Sequence, residues 1–169
     1  MKKIIFLLIL MVACPVLADE IIYIEIEPQI VEAPVKMPIQ PLKTYEWDSE
    51  LIDELASIYW AETGRDSRTA SEKLAITQLI YNRSVYGYPF PSDLLGVCKQ
   101  KNEFNHGHIS DRNRRIAQEN LDKVQSQADG FYQGIDPNLT MAIYMTREGG
   151  SGILTFQDAN WVTVWRVEK

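Results

Sequence analysis

Glu62 is the residue whose type and placement offer the most chemistry. Leu51, Leu55, Ile58 and Glu62 stand at i, i+4, i+7 and i+11, which sets all four on one face of a helix. The carboxyl group is therefore expected at the margin of an apolar surface, with Gly64 marking the end of the helix. Desolvation and the partial negative charge of the last helical carbonyls both disfavour a carboxylate at such a place. An acid that stays protonated near neutral pH suits proton donation to a departing oxygen. The bland alternative is a surface Glu at a helix end, or an ion-pair partner for Arg65 or Lys73. Asp66 and Glu103 are the other carboxylates expected nearby, and both also fit solvated loops.

Four helices and a sheet would have to position these groups. Asp48 can cap the first helix. A second is expected from about Ser71 to Val85, with Ala75, Ile76, Leu79 and Ile80 turned inward. Gly87, Pro89 and Pro91 break the chain, and Ser92 or Asp93 can start a short third helix that ends near Gln100. Asp111 is expected to cap a long fourth helix with Ala117, Leu121, Val124, Ala128 and Phe131 on one face, closed by Gly134. After Pro137 the period changes to two: Met141, Ile143 and Met145 alternate with Ala142, Tyr144 and Thr146. Trp161, Thr163, Trp165 and Val167 alternate in the same way, and Gly149 to Gly152 can turn one strand back on another. The expected fold is α+β, a small mainly helical domain followed by an antiparallel sheet.

Several segments together resemble one known family. Ile58-Tyr59-Trp60-Ala61-Glu62, followed by Lys73-Leu74-Ala75-Ile76 and Tyr81-Asn82-Arg83, is similar to the opening of the SleB-type cell wall hydrolases. Gly96-Val97-Cys98-Lys99-Gln100-Lys101-Asn102-Glu103-Phe104-Asn105 aligns without gaps to that family's Gly-Val-x-x-Gln-x-x-Gln-Phe-Ser. Asp136-Pro137 and Ala142-Ile143-Tyr144 resemble its later Asp-Pro and Ala-Leu-Tyr strand. The resemblance runs in order from about residue 54 to 165.

The resemblance implies a lysozyme-like catalytic domain that cuts the β-1,4 bond between muramic acid and glucosamine in peptidoglycan glycan strands. It assigns the essential acid/base to Glu62, and it implies substrate contacts at Asn82, Gln100, Glu103, Phe104, Asn105 and Tyr144. Lytic transglycosylation is the implied chemistry, with no metal or other cofactor. A muramidase, an N-acetylmuramoyl-L-alanine amidase and a non-catalytic peptidoglycan-binding module remain alternatives. Two departures stand out: the family's Gln and Ser are replaced by Glu103 and Asn105, and Thr63-Gly64-Arg65-Asp66 scrambles its usual loop.

Outside the domain, residues 1–18 read as an export signal. Lys2 and Lys3 precede the apolar run Ile4 to Ala13, and Val16-Leu17-Ala18 offers a cleavage site. That run falls short of the ~20 residues of a membrane span, so no stable span is expected once it is removed. An uncleaved anchor or a lipid-modified Cys14 are the alternatives. Residues 19–47 read as a proline-rich tail, with Pro28, Pro34, Pro38 and Pro41 and a possible short strand at Ile22, Ile24 and Ile26. The catalytic domain is expected from 48 to 169, as an exported monomer.

The formal charge is −6, and loss of Lys2 and Lys3 makes it more negative. An acidic chain argues against nucleic acid as the main partner, since phosphate binding needs a positive stripe. Cys98 would be left without a disulfide partner and is expected to be buried. His106-Gly107-His108 could supply two metal ligands, but a zinc site needs at least a third, so a polar loop is the better reading. Arg112, Arg114 and Arg115 form a basic patch that could meet acidic groups or simply face water. Tyr59, Trp60, Tyr86, Tyr88, Phe90 and Phe104 are rings for sugar stacking or for core packing.

Overall fold

The computed structural model describes residues 42–63, 70–148 and 153–167. The leader expected at 1–18, Cys14, the strand expected around Ile24, Asp66 and the turn expected at Gly149 to Gly152 lie outside the described residues. Four α-helices come first: α1 Ser49–Thr63, α2 Ala70–Tyr86, α3 Leu94–Cys98 and α4 Asp111–Ala128. A 3₁₀ helix, Pro137–Met141, leads into β1 Tyr144–Glu148, β2 Ile153–Gln157 and β3 Thr163–Arg166. The order is that of the α+β fold expected from the sequence.

The helices share one core. Leu55, Ile58 and Tyr59 of α1, Ile76, Leu79 and Ile80 of α2, Val97 and Cys98 of α3, and Leu121 and Val124 of α4 are all buried in it. Each fully buried aliphatic side chain contributes roughly 1.5–3 kcal/mol, so this shared cluster outweighs the modest helix propensity of the individual segments. Both α1 and α2 pack on α4, and α3 bridges them from the side. A polar network threads the same core: Lys73 Nζ donates to Asn113 Oδ1 at 2.7 Å, and Asn120 Nδ2 donates to the Tyr59 hydroxyl at 3.1 Å.

Element ends differ from the sequence expectation where local hydrogen bonds decide. Ser110, not Asp111, caps α4, its Oγ accepting from the Asn113 N–H at 3.2 Å. That helix stops at Ala128 because Gly130 takes φ +80° and the Phe131 N–H returns to the Ser126 carbonyl at 2.7 Å. Ala128 and Phe131 are consequently exposed rather than on the buried stripe. Residues 137–141 are 3₁₀ rather than strand: Asp136 Oδ1 accepts from the Asn138 N–H at 2.9 Å, with Pro137 at the first helical position. Residues 43–47, assigned to the tail from sequence, are bonded to α4: Trp47 Nε1 donates to Asp122 Oδ1 at 2.8 Å and Ser126 Oγ to the Lys43 carbonyl at 3.2 Å. Two apolar-aromatic residues, Tyr45 and Trp47, give that short stretch something to hold on with.

The sheet is antiparallel in the order β1-β2-β3. Its register pairs Arg147 with Leu154, Met145 with Phe156, and Phe156 with Trp165. These five side chains therefore share one face. Leu154 and Phe156 are fully buried in the helical core, so that face looks toward the helices and carries Arg147 with it. A slip of one residue would send Arg147 to the opposite face.

Candidate active site

Glu62 occupies the last turn of α1, and the residue is only 6% exposed. Its Oε1 accepts two hydrogen bonds from Asn105, one from the backbone N–H at 2.9 Å and one from Nδ2 at 3.0 Å. Its Oε2 pairs with Arg147 Nη2 at 2.9 Å. The same guanidinium also donates to the Glu62 backbone carbonyl and reaches the Ala61 carbonyl at 3.5 Å. Arg147 thus covers the negative pole of α1, so the uncompensated helix end expected from the sequence is not found: Glu62 is ion-paired, and three N–H donors face its carboxyl oxygens.

A short loop delivers Asn105. Asn102 takes φ 65°, a left-handed conformation that Asn adopts more readily than most residues, and the Glu103 N–H returns to the Gln100 carbonyl at 3.2 Å. Phe104 then turns into the core and anchors the loop. Beyond Asn105 the loop lies along α1: Gly107 donates its N–H to Ser57 Oγ at 2.9 Å, and that hydroxyl donates to the Gly107 carbonyl at 3.0 Å. Glycine is required there, because a Cβ at Gly107 would stand 2.4 Å from Trp60 Cδ1. Trp60 is gripped between this backbone and the edge of His108, 5.0 Å away between ring centroids.

Behind the loop lies Arg83, buried on α2. Its Nη1 pairs with Glu103 Oε2 at 2.9 Å and its Nε donates to the Ile143 carbonyl at 2.8 Å. The rings of Phe90 and Phe104 stand 4.7 Å and 5.2 Å from its Cζ. Burial pulls the guanidinium pKa below its ordinary value, and the charge and hydrogen bond of Glu103 oppose that pull. Glu103 is accordingly tied to a neighbouring cation, two residues before Asn105, which holds Glu62.

The remaining residues singled out from sequence have definite places. The Asn82 amide is engaged on both sides, accepting from Gln78 Nε2 at 2.7 Å and donating to the Leu139 and Ala142 carbonyls at 2.8 Å each. It fastens the 3₁₀ helix to α2. Gln100 holds a buried side-chain oxygen without a hydrogen-bond partner. Tyr144 lies three residues before Arg147 on β1, on the opposite face of the strand. It stacks on Trp161 with centroids 3.9 Å apart and an interplanar angle of 9°. Glu62, Asn105 and Arg147 are thus in direct contact, Glu103 and Phe104 support the loop, and Asn82 and Tyr144 make other contacts.

The other motifs also resolve. His106 Nδ1 lies 3.1 Å from Glu54 Oε2, and no cluster of three or more His, Cys, Asp or Glu ligands forms among the described residues. Arg114 of the basic patch is bonded to Asp53 at 2.6 Å and to Asp111 at 3.1 Å. Of the six rings, Tyr59, Phe90 and Phe104 are core, while Tyr86 and Tyr88 are exposed. A cleft of about 430 Å³ opens beside Glu50, Asp53, Glu54 and His106, at the other end of α1 from Glu62. No helix among the described residues is long and apolar enough to cross a membrane.

Fold and site together define a small α+β domain in which the buried Glu62 at the end of α1 is clasped by a loop amide and a strand arginine. No protein-family model, no curated protein and no solved structure matches the chain.

Proposed function

We propose that this domain is an exported enzyme that cuts peptidoglycan glycan strands at the β-1,4 bond between muramic acid and glucosamine, as a lytic transglycosylase with Glu62 as its single acid and base. The observation that carries the reading is the placement of Glu62: a nearly buried carboxyl group at a helix end, held from two sides in one fixed position. The residues that resemble the SleB-type hydrolases converge on the same group, since the block ending in Phe104-Asn105 is the one that bonds it. Residues 1–18 supply the export leader that an enzyme of the wall needs.

The chemistry requires one carboxyl group. Protonated Glu62 gives its proton to the glycosidic oxygen as the bond from that oxygen to C1 of the muramic residue breaks. The resulting carboxylate then takes the proton of the 6-hydroxyl while O6 bonds to C1. The product is a 1,6-anhydro ring, Glu62 is again protonated, and no water is consumed. A hydrolase would ordinarily need a second carboxylate about 5–9.5 Å away. Glu103, the described candidate for that role, faces Arg83 instead.

Incubation of the protein with purified peptidoglycan, followed by mass spectrometry of the products, tests the proposal. Anhydro-muramic ends are expected. Reducing muramic ends would replace the reading with a muramidase, released peptides with an amidase, and an unchanged wall with a binding module.

A further inference from the structure

Among the described residues, the hydrogen bonds of Arg147 all fall on one nitrogen. Nη2 meets Glu62 Oε2, the Glu62 carbonyl and the Ala61 carbonyl. Nε and Nη1 make no hydrogen bond among the described residues, and the side chain is 41% exposed. A guanidinium carries five N–H donors in a rigid plane and stays charged at any accessible pH. One corner of this plane is therefore fixed to the acid, and the rest is presented to whatever lies beside it.

The reach of that free part is narrow. With hydrogen bonds of ~2.9 Å at each side of the head group, an acceptor on Nη1 or Nε lies about 5–8 Å from Glu62 Oε2. A sugar whose glycosidic oxygen is in contact with Glu62 offers neutral acceptors at that range, its acetamido carbonyls and hydroxyls, and one group that can carry a negative charge. That group is the 3-O-lactyl carboxyl of a muramic residue, borne two ring carbons from the C1 of the scissile bond. It ends in a carboxylate where the peptide stem is absent and in an amide carbonyl where the stem is attached. A fixed guanidinium recognises both, the carboxylate more strongly.

Resting on the glycan-cleavage reading, we infer that Arg147 binds the lactyl carboxyl group of the muramic residue through Nη1 and Nε while Nη2 holds Glu62, so that one planar group positions the acid and selects the sugar. The strand register supports this arrangement, because Arg147 leaves β1 on the face it shares with the buried Leu154 and Phe156.

The test compares three substrates: glycan strands with stems, strands stripped of stems, and stripped strands whose lactyl carboxyl has been reduced to the alcohol. The acetamido groups are the same in all three, so they serve as the internal control. Wild-type protein is expected to show a KM at least about tenfold higher on the reduced strands than on the stripped ones, the size of a charge-assisted hydrogen bond. Arg147→Gln should abolish this preference, and Arg147→Lys should restore part of it. Where turnover of a variant is too slow, calorimetric binding of the same two strands gives the ratio. A wild-type protein that cuts reduced and stripped strands alike overturns the inference, as does an Arg147→Gln protein that keeps the full preference and loses only melting temperature. Failure of wild-type protein to cut any strand would instead remove the glycan-cleavage reading and the inference with it.

Discussion

Replacing Glu103 with alanine should unsettle the domain more than a loop substitution ordinarily does. The Arg83 side chain is 4% exposed and its Nη1 is held by Glu103 at 2.9 Å. Without that carboxylate the guanidinium keeps one carbonyl, from Ile143, and the faces of Phe90 and Phe104. Removing one partner of a fully buried pair costs about 3–5 kcal/mol, whereas exposed pairs contribute about 0–1 kcal/mol. Glu103 is 36% exposed, so water can take part of its place and the loss is discounted to roughly 1–3 kcal/mol. For a domain of this size that is a fall in melting temperature of about 4–12 °C. Glu103→Gln retains an oxygen acceptor for Nη1 and should lose less than half as much. Thermal melts followed by circular dichroism give both values. A Glu103→Ala protein that melts within about 1 °C of wild type would refute the reasoning that Glu103 exists to satisfy Arg83.

Other expectations follow from single contacts. Gly107→Ala pushes a Cβ into Trp60 and should displace the loop that carries Asn105, costing about 1–3 kcal/mol and most of the proposed glycan-cutting activity; melts and product yield check both. Burial pushes the Cys98 thiol up to about 12, so native protein at mildly alkaline pH should resist alkylation at Cys98 until it unfolds, as read by peptide mapping. The hydrogen bond from Arg114 holds the Asp53 carboxyl below its ordinary pKa. A depressed carboxylate stabilises above its unfolded pKa of ~3.9 and loses that effect as pH falls through the lower folded value. Asp53→Asn should therefore melt below wild type at neutral pH and converge with it in acid.

The helices were legible because their cores repeat at 3.6 residues: Leu51, Leu55, Ile58 and Glu62 all turn out buried, as do Ala75, Ile76, Leu79 and Ile80. Their ends were less so. Ser110 and Asp111 are both good capping residues, and only the geometry of the Asn113 N–H separates them. Phe131 fits the period of α4, yet Gly130 unwinds the chain one residue earlier. The strand pattern around Met141 and Ile143 is real, but the Asp136 side chain and Pro137 hold the first of these residues in a 3₁₀ turn. Glu62 and Asn105 could be found from sequence because one ends an amphipathic helix and the other closes a recognisable block. Arg147 could not. It meets Glu62 from 85 residues away, through a strand register that nothing local to Arg147 reveals. Ser57 and Gly107 were missed for the same reason: a serine within a helix and a glycine between two histidines carry no signal until the loop is laid along α1.

The central claim is that Glu62 performs the reaction, and the most direct test is to count anhydro-muramic ends formed by wild-type and Glu62→Gln protein from the same peptidoglycan. The substitution preserves the size of the side chain and an acceptor for Asn105, while removing the proton to be donated. General acid–base assistance is typically worth ~10²–10⁴-fold, and one group serving both half-reactions puts the expected loss at the upper end of that range. A Glu62→Gln protein with the circular dichroism spectrum of wild type and no detectable anhydro ends is the result this account predicts. A folded Glu62→Gln protein that still produces most of those ends would contradict it and place the chemistry on another residue.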